Sequence, residues 1–265
     1  SRFVKQDWNN HTSFNGWITL TSLGNKLKIS VPIKKTKHFN KMLTQGTIKP
    51  GIRLSKFSIT FNFDLNEIKA KQIGKTVGLD IGLKNTFTLS TNVTSKPDNH
   101  GHTLESITKK LTRKKKGSKS FTQATVHRDN HIHWSLNQIN FDNIKILKIE
   151  NIKHLRKYRK TSRYLSHFTY TTIFNKLADL TTTNGVRLEK VNPTYTSQRC
   201  SNCGWVRKRN RNGKQFKCDV CKTKLDADLN ASINISLDLP LITKAERLLH
   251  KNRKGFYWNE VGRNL

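Results

Sequence analysis

The sequence predicts an α/β chain in three parts: a small β-rich segment, a mixed sheet with helices, and a cysteine-bearing ribbon set just before the last core helix. Three observations predict it. All four cysteines fall in two pairs, Cys200-x-x-Cys203 and Cys218-x-x-Cys221. Two apolar runs of strand length, Thr76 to Asp80 and Ile144 to Glu150, each end on a carboxylate. Between and after these runs, apolar residues return at helical spacing.

The chain opens at Ser1 without Met, which suits a fragment, a processed chain or an incomplete reading frame. Trp17 to Leu20 and Lys26 to Ile33 pattern as a hairpin, with Gly24-Asn25 at the turn and Leu27, Ile29 and Val31 alternating on one face. Lys49-Pro50-Gly51 is turn-prone. After it, Phe57, Ile59, Phe61 and Phe63 alternate with Ser58, Thr60 and Asn62. Residues 1–72 are therefore expected to form a small partial β-barrel with basic edges.

Residues 73–195 supply the first part of the core. Val77-Gly78-Leu79-Asp80 is an apolar strand with one aspartate, followed by a second strand over Thr86 to Ser90 and a polar loop to Gly101. Next comes the densest basic run, containing Lys109, Lys110, Arg113, Lys114, Lys115 and Lys116. Such a run is either a solvated face or a phosphate contact, and the charge of the whole chain favours the second. Ile132, Leu136 and Ile139 place His131, His133 and Trp134 on a helix. His131 and His133, two apart, face different sides and make poor joint ligands. The Glu150 strand leads into a second basic cluster, with Arg156, Lys157, Arg159 and Lys160 among tyrosines, which fits a single-strand surface or an exposed linker. Phe168, Ile173, Phe174, Leu177 and Leu180 then mark an amphipathic helix that Asn184-Gly185 ends, and Val186 to Val191 a short strand.

Residues 196–225 are the ribbon. Each Cys-x-x-Cys lets a tight turn bring two thiolates to one cation, and two turns complete a tetrahedron around zinc. Two disulfides would need an oxidising compartment, to which nothing else in the sequence points. The expected zinc ligands are Cys200, Cys203, Cys218 and Cys221. Residues 226–240 hold the final core helix, opening on Asp226-Ala227-Asp228, where the helix dipole favours acids. The tail, 241–265, fits either a last packing helix or a partly disordered end. A carboxylate on a buried-type strand is costly unless it is paired or binds a cation. Acids on three separate elements suggest one centre for divalent metal.

In order, VGLDIGLKN, KIENI and TSQRCSNCG…CDVCKTKLDADLNASINI resemble the nuclease core of the TnpB/OrfB family, transposon-encoded RNA-guided nucleases related to type V CRISPR effectors. The resemblance spans about residues 75–238, and the cysteine block is its most specific part. It implies an RNase H-like (RuvC) mixed sheet with an inserted four-cysteine zinc ribbon. Asp80, Glu150 and Asp228 match the three catalytic carboxylates, which would hold magnesium, two ions in that family's scheme. Asp228 is preferred to Asp226 because it stands two residues before Asn230 in the D-x-N element. The resemblance also implies a barrel that grips guide RNA. It leads us to expect an N-terminally shortened chain, since a helical insertion usual in the family is not found here.

Lys plus Arg number 50 against 17 acidic residues in 265, a formal charge of +33. Charge on this scale points to a polyanion, because neutralised phosphates release counterions. No apolar run is long enough for a membrane span and no signal peptide is visible, so a cytoplasmic, nucleoid-associated protein without a membrane partner is expected. The function expected is a transposable-element endonuclease cutting DNA under guide RNA. The alternative is a nuclease-inactive or truncated protein that binds guide RNA or DNA, as a repressor or remnant. Nothing in the sequence speaks to oligomeric state, and nothing in it shows the strand transfer that the names transposase and DNA recombination would require.

Overall fold

The structure, a computed structural model, describes residues 3–8, 13–24, 26–82, 84–152, 167, 169–251 and 254–260, and divides the chain into two units, Ser1–Glu67 and Ile68–Leu265.

The first unit contains two antiparallel sheets. Strands β1 (Val4–Asp7), β2 (Gly16–Thr21) and β3 (Lys28–Ile33) form one, and β4 (Gly46–Leu54) with β5 (Ile59–Leu65) the other. The expected hairpin is β2–β3, with Gly24 at φ +82° in its turn. Its apolar alternation buries little, since Leu27 and Ile29 stay exposed. Two expectations need correction. Lys49-Pro50-Gly51 is not a turn but lies inside β4, where the register slips between Ile48 and Ile52. Proline has no N–H for the ladder, so the strand passes it as an irregularity instead of reversing. Phe57 lies ahead of β5 and is exposed, whereas Ile59, Phe61 and Phe63 share its half-buried side. A helix that the pattern did not announce, α1 (Lys37–Gln45), begins where Thr36 Oγ1 accepts the Phe39 N–H at 3.1 Å. Phe39 is its one buried residue and meets Trp8, Phe61 and Phe63 at ring separations of 5.0, 5.3 and 5.3 Å. This aromatic cluster packs α1 against β5, while Ile18 of β2 is fully buried elsewhere in the unit's sequence.

Alternation along two parallel strands decides how the larger unit is layered. Its sheet has the order β7-β6-β8-β9, from β6 (Lys75–Asp80), β7 (Thr88–Leu89), β8 (Ile144–Glu150) and β9 (Arg187–Val191). Strands β6, β8 and β9 run parallel, and β7 pairs antiparallel at the edge. Val77, Leu79, Leu147 and Ile149 point to one face and are at most 2% exposed. There they meet Ile132 and Leu136 of α3 (Lys119–Leu136) and Ile173 and Leu177 of α4 (Tyr170–Thr183). Helix α2 (Leu104–Thr112) packs on α3 and adds Leu104 to the same core. Gly78 and Asp80, and likewise Lys148 and Glu150, fall on the other face by period two. That face receives α5 (Ala227–Ser236), which lies so close that a Cβ on Gly78 would stand 2.0 Å from the Ser232 carbonyl oxygen.

The four cysteines sit between β9 and α5, among β10 (Trp205–Val206), β11 (Arg211–Asn212), β12 (Gln215–Lys217) and β13 (Lys224–Asp226). Within the described part of the tail, α6 (Lys244–Lys251) is followed by β14 (Phe256–Tyr257), which joins β10, and Trp258 is buried with its Nε1 donating to the Pro240 carbonyl at 3.1 Å. Among the described residues, no helix is long and apolar enough to cross a membrane.

Candidate functional site

Asp80 ends β6 and Glu150 ends β8, and the parallel register that pairs Leu79 with Ile149 sets these two acids side by side. Asp228 reaches them from the first turn of α5. Asp226, the other acid of that turn, is the N-cap: its Oδ1 accepts the N–H groups of Asp228 at 2.9 Å and Leu229 at 3.1 Å. Capping thus occupies one aspartate and leaves the other beside the strand ends.

Burial first, then the charges of Glu150 and Asp228, push the Asp80 carboxyl from its ordinary 3.8 up to about 8. Burial also raises Glu150, although the Thr196 hydroxyl donates to its Oε1 and Arg211 stands near. Two buried carboxylates and a third close by strongly disfavour being ionised together without a cation. The cation here is Arg211, whose Nη2 lies 2.9 Å from Asp228 Oδ1, with Lys214 Nζ 3.7 Å from Oδ2. The three carboxylates interact electrostatically but do not close to ligand spacing. Among the described residues, donor atoms converge within 4.8 Å only at the four cysteines and at Asp98, His102 and His127.

The cysteine cluster can hold a tetrahedral ion. Cys200 Sγ lies 3.5 Å from Cys221 Sγ and Cys203 Sγ 3.6 Å from Cys218 Sγ, far longer than a disulfide bond. Burial lifts the Cys200 thiol to about 12. Burial works against Cys221 as well, yet hydrogen bonds from the Thr223 hydroxyl and N–H bring it down to about 6. Four thiolates at this spacing are the donor set of a structural zinc site.

Two buried asparagines fasten this cluster to α5. Asn230 Nδ2 donates to the Arg199 carbonyl at 2.8 Å while its Oδ1 accepts the Ser201 N–H at 3.0 Å. Asn234 Nδ2 donates to the carbonyls of Thr196 and Arg199, and its Oδ1 accepts from Arg199 Nη1 at 2.7 Å. These hydrogen bonds tie the first cysteine knuckle to the helix that presents Asp228. The sequence reading missed Arg211, Lys214, Thr196 and Asn234. The only signal for any of them was the Asn-x-x-x-Asn spacing on α5, which puts both amides on one face.

The first basic group is exposed where expected: Lys109 and Lys110 in the last turn of α2, Arg113 at its C-cap, and Lys114, Lys115 and Lys116 in the turn to α3. Lys109 also pairs with Glu105 at 2.8 Å. Arg156, Lys157, Arg159 and Lys160 lie outside the described residues.

A family model described as "Cas12f1-like, TNB domain" matches residues 170–235, from the start of α4 to the penultimate residue of α5. The chain is 36% identical over 92 residues to the CRISPR-associated endodeoxyribonuclease Cas12f1 of Sulfoacidibacillus thermotolerans, covering 34% of this chain and 21% of that protein. It is 28% identical over 162 residues to Cas12f1 of an uncultured archaeon, covering 55% and 29%. By these matches, part of this chain is similar to proteins named Cas12f1 endodeoxyribonucleases. The chain spans less than a third of the length of these curated Cas12f1 relatives. Among solved structures, a Cas12f1–sgRNA–target DNA complex is 20% identical at a TM-score of 0.47, over 73% of this chain and 65% of that one. The Cas12f1-like match contains Asp228 and all four cysteines, whereas Asp80 and Glu150 stand upstream of it.

Proposed function

We propose that this chain is the nuclease part of an RNA-guided, magnesium-dependent DNA endonuclease of the TnpB type, with an RNase H-like (RuvC) core, associated with a transposable element. The observation that carries the proposal is the electrostatic coupling of Asp80 to Glu150 and Asp228, with Asp80 raised to about 8 by burial and by the other two. Such a centre is poised to take up positive charge. Its donors are hard carboxylate oxygens, which fit magnesium and not a soft metal. When bound, magnesium supplies Lewis-acid activation of water and neutralises the charge that spreads over a phosphodiester in hydrolysis.

The chain's own residues do the rest. Parallel pairing holds Asp80 and Glu150 on rigid strand ends, and the Thr196 hydroxyl orients Glu150. Asp228 is delivered by a helix bolted to the cysteine knuckle, which gives zinc a structural role. Exposed Arg113, Lys115 and Lys116 track the phosphates of guide RNA or DNA. Sequence choice would come from base pairing with the guide.

A second reading, guide-RNA or DNA binding without cleavage, is favoured by the Arg211–Asp228 ion pair, which already neutralises one acid of the three. Labelled single-stranded DNA, incubated with protein co-expressed with its flanking RNA, separates the two. Cutting that requires Mg²⁺ and vanishes in Asp80→Ala supports the nuclease. Salt-sensitive binding without cutting, unchanged by Asp80→Ala, overturns it in favour of the second reading.

A further inference from the structure

Away from the carboxylate centre, the loop before α2 and the exposed side of α3 bring together groups that the nuclease reading does not use. Asp98 Oδ1 accepts the N–H groups of His100 and His102, both at 2.9 Å, with Gly101 between them at φ +74°. This fixes the carboxylate and turns Oδ2 toward the histidines. His102 Nδ1 lies 3.2 Å from Oδ2. His127 comes from α3, its ring 5.1 Å from that of His102. One donor atom from each of Asp98, His102 and His127 falls within 4.8 Å of the others.

The loop hydrogen bonds explain Asp98 and His102 but not what stands behind them. One turn further along α3, on the same face as His127, His131 has a side chain only 2% exposed. Its Nδ1 has no hydrogen-bond partner and stands 3.9 Å from Asp98 Oδ2. A buried ring nitrogen left unpaired is costly, and an ion held by the group it faces is one explanation for it.

We propose that Asp98, His102 and His127 form a second metal site, for a divalent transition ion of the zinc type, which clamps the loop before α2 to α3. Two imidazoles and one carboxylate suit zinc and its neighbours and disfavour magnesium or calcium. Three protein donors leave a fourth position for water. His131 stands behind Asp98, where ligating carboxylates commonly have an outer partner. The clamp is independent of the cysteine cluster and joins elements that the short α2–α3 turn alone would hold at only one end.

Cobalt(II) titrated into the reduced full chain tests this. The first equivalent gives thiolate-to-cobalt charge transfer from the cysteine cluster. A second equivalent is expected to add weak visible bands of nitrogen–oxygen type that excess Mg²⁺ leaves in place. His127→Ala, an exposed position, and His102→Ala lose the second set while keeping the thiolate bands, which reports an intact fold. Saturation after the thiolate bands alone overturns the proposal. So does a second equivalent that survives both variants, which marks an adventitious surface ion. Failure of the cysteine reading is distinguishable, because it removes the charge transfer and spares the weaker bands.

Discussion

At the scale of single residues, Gly78 and Asp80 determine whether the site can exist. An added Cβ at Gly78 would fall 2.0 Å from the Ser232 oxygen and 2.5 Å from the Ser236 nitrogen, both backbone atoms that cannot step aside. Gly78→Ala should therefore destabilise the chain by about 1–3 kcal/mol, in the range of overpacked cores. Denaturant unfolding checks this, and an unchanged midpoint would mean that α5 does not press on β6. Asp80 predicts a pH dependence. The folded chain holds its proton up to about 8, while the unfolded chain releases it near 3.8. Between these values the folded state binds more protons, so this contribution to stability is greatest at the acid end and is lost as pH rises through 8. Glu150, also raised, acts in the same direction. In buffer with zinc but without magnesium, melting temperature should fall from pH 5 to pH 8, and Asp80→Asn should flatten that slope. Equal slopes in the two proteins would refute the burial-driven shift.

At the scale of elements, the contact that matters most is between α5 and the first cysteine knuckle. Asn234→Ala removes the amide donor to the Thr196 carbonyl, one of two amide donors to the Arg199 carbonyl and one acceptor of the Arg199 guanidinium, inside a site where Asn234 is 1% exposed. A loss of about 1–3 kcal/mol for each buried group left unsatisfied is expected, read by denaturant unfolding with zinc content unchanged. Loss of the metal would instead assign Asn234 to the cysteine cluster itself. Strand and helix identities were largely legible in the sequence, because apolar periodicity in β6, β8 and α4 is strong and local. Helix α1 and the passage of β4 through Pro50 were not. The first depends on Phe39 meeting Trp8, Phe61 and Phe63 and the second on the pairing of β4 with β5, contacts that no short window contains.

At the scale of the whole molecule, the proposed binding of nucleic acid by a chain of formal charge +33 predicts an affinity that depends on salt. Replacing Arg113, Lys115 and Lys116 by Ala should reduce the slope of log affinity against log salt by about 0.7–0.9 for each phosphate contact removed. Binding isotherms at several salt concentrations measure it. An unchanged slope would make the α2–α3 turn a solvated face. Of the two histidine positions set aside in sequence, His131 is buried and His133 is exposed. The partner that shares the His131 face is His127, four residues earlier, and the pattern shows this only once the loop bearing Asp98 is known to cross that face.

The sequence by itself determined the cysteine pairs, the apolar strands with their terminal acids and the basic character, since each is written in spacing or composition within a few residues. Tertiary structure alone decided the rest. It set Asp80 against Glu150 by strand register, made Asp226 the helix cap and supplied Arg211 as the counter-charge to Asp228. The physical reason is range: hydrophobic periodicity acts over neighbours along the chain, whereas the pairing of buried charges depends on which distant elements the packed core brings within a few ångströms.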